Sequence, residues 1–486
     1  MVSVTFLEIG KTVQVEAGST LLAAEIAAGL SPDAPCGGHG RCGKCRVLVD
    51  GTARLACQTA VTNDVAVSLP RNTATDICID AKVSAVSPDG ADPYVLAFDI
   101  GTTTVVCYLL DGHNGTLLAQ AGMENPQRAY GADVISRIQY VMETGSTALR
   151  GEILHALAHL ARVTAVQAGI KPDTITLASI VGNTAMHHLL LGLDPRPLTV
   201  PPYMPAQSCA LDLPSRGLLP IAENGTVRIL PNIAGFVGGD TVACMAATEF
   251  DKLEAITLLL DIGTNGEMVL GTRRRRIACS AAAGPAFEGA AISCGMRSEA
   301  GAIDRVWLEG DAVQFHAIGD CIPRGLCGSG LLDLVSVLLE CGVLDESGRL
   351  LCGSGYRLPG TEVVLTQRDV REVQLAKAAI RTGIELMAQT LGIAIPQITS
   401  VLLAGAFGSR LSPGSACKIG MIPPCLCDRI QPIGNAAGTG AIRCALSGAE
   451  FARSSVLAEE TEFLELASLP QFQDAFVDAL LFSEDE

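Results

Sequence analysis

The chain opens on alternation. Val2, Val4 and Phe6 are apolar with polar residues between them, and the pattern returns in KTVQVEA after a Gly10-Lys11 turn, so residues 2–17 are predicted to form two short strands. Ser19 or Thr20 then stands where an N-cap is needed, ahead of an Ala/Leu-rich run that ends near Gly29. From Arg46 the alternation resumes in RVLVDG, ARLACQ and VAVSL. A small sheet crossed by one helix is the layout of a β-grasp domain. Residues 71–92 are polar and carry SPDGADP, a composition that predicts a linker.

Beyond the linker the apolar pattern repeats. YVLAFDIGTTTVVCYLLDGHNGTLLAQ at 94–120 matches ITLLLDIGTNGEMVLGTRRRRIACSAA at 256–282. Each reads as an apolar strand, the turn DIGT, a second strand, a tight turn and a third strand, followed by helical segments. Two such halves, about 160 residues apart, imply similar lobes facing each other across a cleft.

Composition narrows the class. A chain of 486 residues is too long for one ordinary core. A formal charge of -17 excludes the basic stripe that a nucleic acid or an anionic membrane would need. The one basic run, RRRR at 273–276, lies between two apolar segments and reads as a solvated hairpin turn. The uncharged window Leu386 to Ser409 is broken by Gly392, Pro396 and Gly405, which predicts a helix, a turn and a buried strand and no membrane span. The N-terminus shows no secretory pattern, so a cytoplasmic protein is expected. In that compartment eighteen cysteines are not a disulfide framework, and some are expected to hold metal.

Cys36, Cys42, Cys45 and Cys57 have the spacing C-x5-C-x2-C-x11-C on the Gly-rich loop PCGGHGRCGKC. Glycines let backbone N–H groups curl toward thiolate sulfurs, which suits a 2Fe-2S cluster. A zinc ribbon is the alternative, and it usually wants two C-x2-C knuckles where one is present. His39 reads as a solvent-facing loop residue. The remaining cysteines, including Cys321/Cys327 and Cys425/Cys427, read as small buried hydrophobes.

The DIGT turns suit a phosphate. Asp99 can hold Mg²⁺ through water, Gly101 permits close backbone approach, and Thr102, Thr103 and Thr104 can donate hydrogen bonds. The second copy supplies Asp261, Gly263, Thr264, Asn265, Gly266 and Glu267. In SVLLAGAFGSRL at 400–411, Gly405 and Gly408 follow an apolar strand and would let the backbone lie against a purine or ribose.

These three motifs, in this order, resemble the phosphate-1, phosphate-2 and adenosine motifs of the actin, sugar-kinase and Hsp70 superfamily. With SIVGNTAMHHLLLGLDP (179–195), NIAGFVGGDTVACMAA (232–247), GLCGSGLLDLVSVLLECGVLDESGRL (325–350), PIGNAAGTGAIRCAL (432–446) and the N-terminal cysteine loop, the chain resembles the reductive activators of corrinoid-dependent methyltransferases. That resemblance implies an α/β protein with a β-grasp 2Fe-2S ferredoxin domain and a duplicated RNase H-like, actin/Hsp70-type bilobal ATPase. It implies the cofactors 2Fe-2S, ATP and Mg²⁺, and Asp99 and Asp261 as catalytic residues that bind the metal or orient the attacking water. The implied activity is ATP-driven one-electron reduction of Co(II) to Co(I) in a corrinoid protein, with a ferredoxin or flavoprotein as upstream donor. Two other readings fit the superfamily: an activator of a radical dehydratase, and a redox-regulated small-molecule kinase.

The expected organisation is a ferredoxin domain over 1–75, a linker over 76–92, lobe I over 93–250, lobe II with the adenosine motif over 251–455, and an acidic tail over 456–486. The short linker leaves no room for the dimerisation domain some relatives carry, so oligomeric state is open. The cysteine-free tail implies no further clusters there.

Overall fold

The structure, a computed structural model, describes the chain apart from residues 8–9, 29, 31, 33, 35–37, 39, 41–44, 70–80, 82–85 and 483–486. The first unit is a mixed five-stranded sheet of β1 (Val2–Phe6), β2 (Lys11–Val15), β3 (Arg46–Val49), β4 (Thr52–Leu55) and β5 (Val65–Ser68) in the order β2-β1-β5-β3-β4. Only β1 and β5 pair in parallel. Helix α1 (Leu21–Ala27) lies across it, and its start is fixed by Thr20, whose Oγ1 accepts from the Ala23 N–H at 3.2 Å. Val4, Phe6, Leu21, Ala24 and Val67 form the core. This is the β-grasp layout expected from the alternation. The predicted linker falls largely outside the described residues. Its final part is tied to a segment near the C-terminal end of the chain: Asp89 N–H donates to Leu446 O at 2.9 Å, and Gly448 N–H to the Asp89 carboxylate at 2.7 Å.

The second unit begins with the meander β6 (Tyr94–Ile100), β7 (Thr104–Asp111) and β8 (Leu117–Glu124). Helices α2 (Val134–Thr144) and α3 (Thr147–Ala168), strand β9 (Ile175–Gly182), helix α4 (Thr184–Leu191), strands β10 (Leu211–Pro214) and β11 (Thr226–Ile229) and helix α5 (Gly239–Ala247) follow. The sheet order is β10-β11-β9-β6-β7-β8, with β6, β9 and β11 parallel. Leu96, Phe98 and Ile100 face α2, α3 and α4, while Val95 and Ala97 face the opposite side.

The third unit repeats this plan. Strands β12 (Thr257–Ile262), β13 (Gly266–Gly271) and β14 (Arg276–Ala281) form its meander. A three-stranded sheet, β15 (Ala302–Glu309), β16 (Ala312–Ala317) and β17 (Gly325–Leu326), leads to α6 (Gly328–Glu340). A ribbon, β18 (Gly355–Arg357) and β19 (Val364–Thr366), leads to α7 (Gln367–Leu391). Then come β20 (Ser400–Ala404), α8 (Gly405–Gly408), α9 (Pro413–Lys418), β21 (Ile430–Gly434), α10 (Ala436–Leu446), α11 (Gly448–Glu459), β22 (Thr461–Phe463) and α12 (Phe472–Asp478). Its six-stranded order, β21-β20-β12-β13-β14-β22, mirrors the second unit strand for strand at the centre. Helices α5 and α10 pack between the two sheets, sharing one core with Val95 and Ala97 on one side and Leu259, Val269 and Ala278 on the other. Their contact depends on Gly440, where a Cβ would lie 2.1 Å from the Ala243 carbonyl oxygen.

Three expectations are corrected here. Residues 456–486 are not a tail: β22 pairs in parallel with β14, and Leu466 and Phe482 are buried against α7, where Lys377 Nζ lies 5.2 Å from the Phe482 ring centroid. Glu459, Glu460, Glu462, Asp474 and Asp478 are exposed and hide the apolar spacing of this stretch. Arg276 is not solvated but 1 % exposed, its Nε donating to Thr461 Oγ1 at 2.9 Å and its guanidinium paired with Glu460; the other three arginines do lie at the hairpin turn. Cys209, Cys321, Cys341, Cys352 and Cys425 are exposed rather than buried, because none of them faces a core.

Candidate nucleotide cleft and cysteine pair

Cys45 directly precedes β3, and Cys57 follows β4 in a single 3₁₀ turn. The hairpin between them reverses at Asp50-Gly51, both with positive φ (52° and 74°), the geometry of a two-residue turn that keeps neighbouring strands in register. The eleven-residue gap between these cysteines is therefore one hairpin, and it brings the buried sulfurs to 3.3 Å. Two thiols at that separation can ligate one metal ion, which fits half of a four-thiolate cluster site. Cys36, Cys42 and His39 lie outside the described residues.

The two DIGT turns face each other across a cleft of about 270 Å³. Asp99 and Asp261 occupy matching positions one residue before the ends of β6 and β12, on the inner faces of the two sheets. Asp261 also pairs with Glu267 across β13 and with Ala404 across β20, so the phosphate-2 turn and the glycine turn are joined by adjacent strands. Helix α5 enters the cleft with Asp240 in its first turn, and α10 enters with Asn435 as its N-cap. Asn435 Nδ2 donates to the Asp99 carboxylate at 2.9 Å and its Oδ1 accepts from Gly438 N–H at 2.7 Å. On the first turn, Asn183 donates to Thr102 Oγ1 at 3.0 Å, and the buried Arg137 donates to the Thr102 and Gly131 carbonyls at 2.5 and 2.9 Å.

Of the carboxyl groups that line this space, burial shifts four upward. Asp99 and Asp261 are each pushed from 3.8 to about 6, chiefly by desolvation. Asp240 rises to about 7 through burial and then through the charges of Asp261 and Asp99. Glu267 rises too, by burial and by the Asp240 and Asp261 charges. Such a cluster fits a divalent cation, whose charge reverses the penalty. Among the described residues no three His, Cys, Asp or Glu side chains converge closely enough to hold a metal directly.

Glycine placement fits a nucleotide. At Gly405, with φ of 83°, a Cβ would lie 2.6 Å from Asp261 Oδ1, and at Gly101 it would lie 3.0 Å from Thr104 O. Gly266 and Gly408 do not line the cleft; they pack against Ile380 and Leu403. The other turn residues named from the sequence, Thr102, Thr103, Thr104, Gly263, Thr264 and Asn265, do line it. Sequence reasoning missed Asp240, Asn183, Asn435 and Glu288. For the first three the signal was an Asn or Asp after a glycine at a helix start, in VGNTA, VGGDT and IGNAA, while Glu288, in PAFEG, carried no such signal. The repeat also runs further than the meanders: β9-α4 in the second unit stands where β20-α8 stands in the third.

Comparison with known proteins bears on this arrangement. The description "2Fe-2S iron-sulfur cluster binding domain" matches residues 5–62, "RACo middle region" matches 94–253, and "C-terminal domain of RACo the ASKHA domain" matches 255–486. The chain is 36 % identical over 422 residues to the corrinoid activation enzyme RamQ of Eubacterium limosum, covering 81 % of this chain and 71 % of that protein. The chain belongs to the RACo family. A second family relative, the [Co(II) methylated amine-specific corrinoid protein] reductase of Methanosarcina barkeri, is 25 % identical over 369 residues, covering 68 % of this chain and 66 % of that one. The solved structure of a reductive activator for corrinoid, iron-sulfur protein superposes with a TM-score of 0.73 at 28 % identity, covering 99 % of this chain and 98 % of the other. The RACo middle region is thus the first of the two similar lobes, and the ASKHA domain is the second.

Proposed function

We propose that this protein returns a corrinoid protein from Co(II) to Co(I) by one-electron reduction, with ATP hydrolysed at the cleft between the lobes. The observation that carries this is the pairing, in one chain, of the Cys45/Cys57 thiol pair with a two-turn phosphate cleft. An electron carrier alone has no use for the cleft, and a kinase has no use for the thiols. A bound 2Fe-2S cluster supplies one-electron transfer, and Cys36, Cys42, Cys45 and Cys57 are its ligands in this reading. Hydrogen bonding orients Asp99 through Asn435, while Asp261 faces it from the other lobe; these two hold the metal or the attacking water. Thr102, Thr103 and Thr264 offer hydroxyls to the phosphates, and Gly405 lets the backbone approach them.

ATP is required on energetic grounds. Plant-type 2Fe-2S centres lie near -400 mV, and Co(II) corrinoids are harder to reduce than that; a one-electron gap of ~200 mV amounts to ~4.6 kcal/mol. Closure of two lobes on a nucleotide can bias a complex by that much. A ferredoxin or flavoprotein would supply the electron. Among the described residues no cysteine is in a disulfide and no helix is long and apolar enough to cross a membrane; with these we read the protein as cytoplasmic. Product analysis tests the assignment: ADP and inorganic phosphate, formed faster in the presence of a Co(II) corrinoid protein, are expected. A phosphorylated small molecule would make the protein a kinase.

A further inference from the structure

Glu288 sits in a 3₁₀ turn, Pro285–Glu288, that follows β14 and belongs to neither DIGT motif. Its carboxylate nonetheless joins both. Oε2 accepts from Thr103 Oγ1 at 2.9 Å in the phosphate-1 turn, and Oε1 accepts from Thr264 Oγ1 at 2.8 Å in the phosphate-2 turn. Thr103 belongs to one lobe and Thr264 to the other, so a single carboxylate spans the cleft mouth. An anionic group with two oxygens, held between the hydroxyls of two phosphate-binding turns, has the charge and hydrogen-bonding pattern of a phosphate.

The turn that carries Glu288 is held firmly. Gly289, with φ of 75°, closes it, and a Cβ there would lie 2.4 Å from Met296 O. Phe287 stacks on Phe407 of the glycine turn, ring centroids 5.1 Å apart and planes 4° from parallel. Its carbonyl oxygen would lie 2.0 Å from a Cβ at Gly328, the first residue of α6. A second tie runs beside it, between Arg297 and Glu124. The segment thus contacts the phosphate-1, phosphate-2 and adenosine turns at once.

We propose that Glu288 is an interlobe latch: in the nucleotide-free protein its carboxylate holds the place of the terminal phosphate between Thr103 and Thr264, and ATP binds by displacing it. This rests on the reading of the cleft as a nucleotide site. Displacement frees both hydroxyls for the phosphate and breaks a direct tie between the lobes. Because the same turn carries Phe287 against Phe407, the presence of a terminal phosphate is passed to the glycine turn. The protein would then distinguish ATP from ADP by whether Glu288 is displaced.

The test uses the full chain, with its cluster assembled, and the variants Glu288→Gln and Glu288→Ala. Titration calorimetry with Mg-ATP, Mg-ADP and inorganic phosphate reads affinity, and hydrogen exchange of the two DIGT turns reads the latch. Removing the competing charge should tighten ATP and phosphate binding about tenfold or more, with a smaller gain for ADP. In nucleotide-free protein Glu288→Ala should speed exchange in both turns, while Glu288→Gln, which keeps hydrogen-bonding capacity, should do so less. Weaker ATP binding in both variants, equal gains for ATP and ADP, or unchanged exchange would overturn the latch. Failure of the wild-type protein to bind any nucleotide would overturn the nucleotide site itself, and the latch with it.

Discussion

Asp240→Asn isolates the electrostatic cost of crowding carboxylates in the cleft. The Asp240 carboxyl is raised from 3.8 to about 7 by burial and by the neighbouring Asp261 and Asp99 charges. Between those two pH values the folded protein holds a proton that the unfolded chain has lost, so stability falls as pH rises from about 4 through 7. At about 1.4 kcal/mol per pH unit, ionised Asp240 costs the folded, nucleotide-free protein on the order of 2–4 kcal/mol at pH 8. Asparagine matches its size and keeps an oxygen for the Thr241 N–H, which Asp240 Oδ1 accepts at 2.7 Å. The substitution should therefore stabilise the protein at pH 8 by that amount and leave it nearly unchanged at pH 4. Urea denaturation at pH 4, 6 and 8, without nucleotide or divalent cation, reads the difference. Mg-ATP should reverse the ranking at pH 8, because the cation then stabilises the aspartate and not the asparagine. A gain independent of pH, or none at pH 8, would refute the argument that carboxylate crowding sets the cost.

Three further outcomes follow from the geometry. Asp261→Asn should lower ATP turnover by roughly 10²-fold or more while leaving cluster absorption intact, measured by phosphate release and visible spectroscopy on one sample. Cys57→Ser removes one of two sulfurs 3.3 Å apart, so anaerobic purification should lose the 2Fe-2S spectrum and the expected two irons per chain; stoichiometric zinc with no chromophore in the wild type would instead favour a zinc site. Gly405→Ala places a methyl group 2.6 Å from Asp261 Oδ1 at a φ of 83°, and calorimetry should show Mg-ATP affinity reduced by about tenfold or more, with an unaltered cluster.

What could be read from the sequence depended on the range over which each residue acts. The β-grasp strands and both DIGT meanders were legible because period-two alternation and a Gly-containing turn are local signals, repeated in one chain. Thr20 announced α1 for the same reason. Asp240 and Asn435 were not legible as site residues, since only packing of α5 and α10 between the sheets brings them together, and Glu288 enters from a 3₁₀ turn after β14, outside both DIGT motifs. Residues 456–486 misled because their charged residues are all acidic, while Phe463, Leu466 and Phe482 carry the packing. Gly408 misled in the opposite way: its motif suits a ligand turn, yet its backbone rests on Leu403.

The central claim is that nucleotide turnover in the cleft drives electron transfer to cobalt. Anaerobic protein whose cluster has been chemically reduced, and freed of excess reductant, can be mixed with a Co(II) corrinoid protein and followed by the absorbance of Co(I). Co(I) should form with Mg-ATP, and should fail to form without nucleotide or with the Asp261→Asn variant although its cluster is equally reduced. Equal Co(I) formation in the absence of ATP, or ADP release with no Co(I) at all, would contradict it.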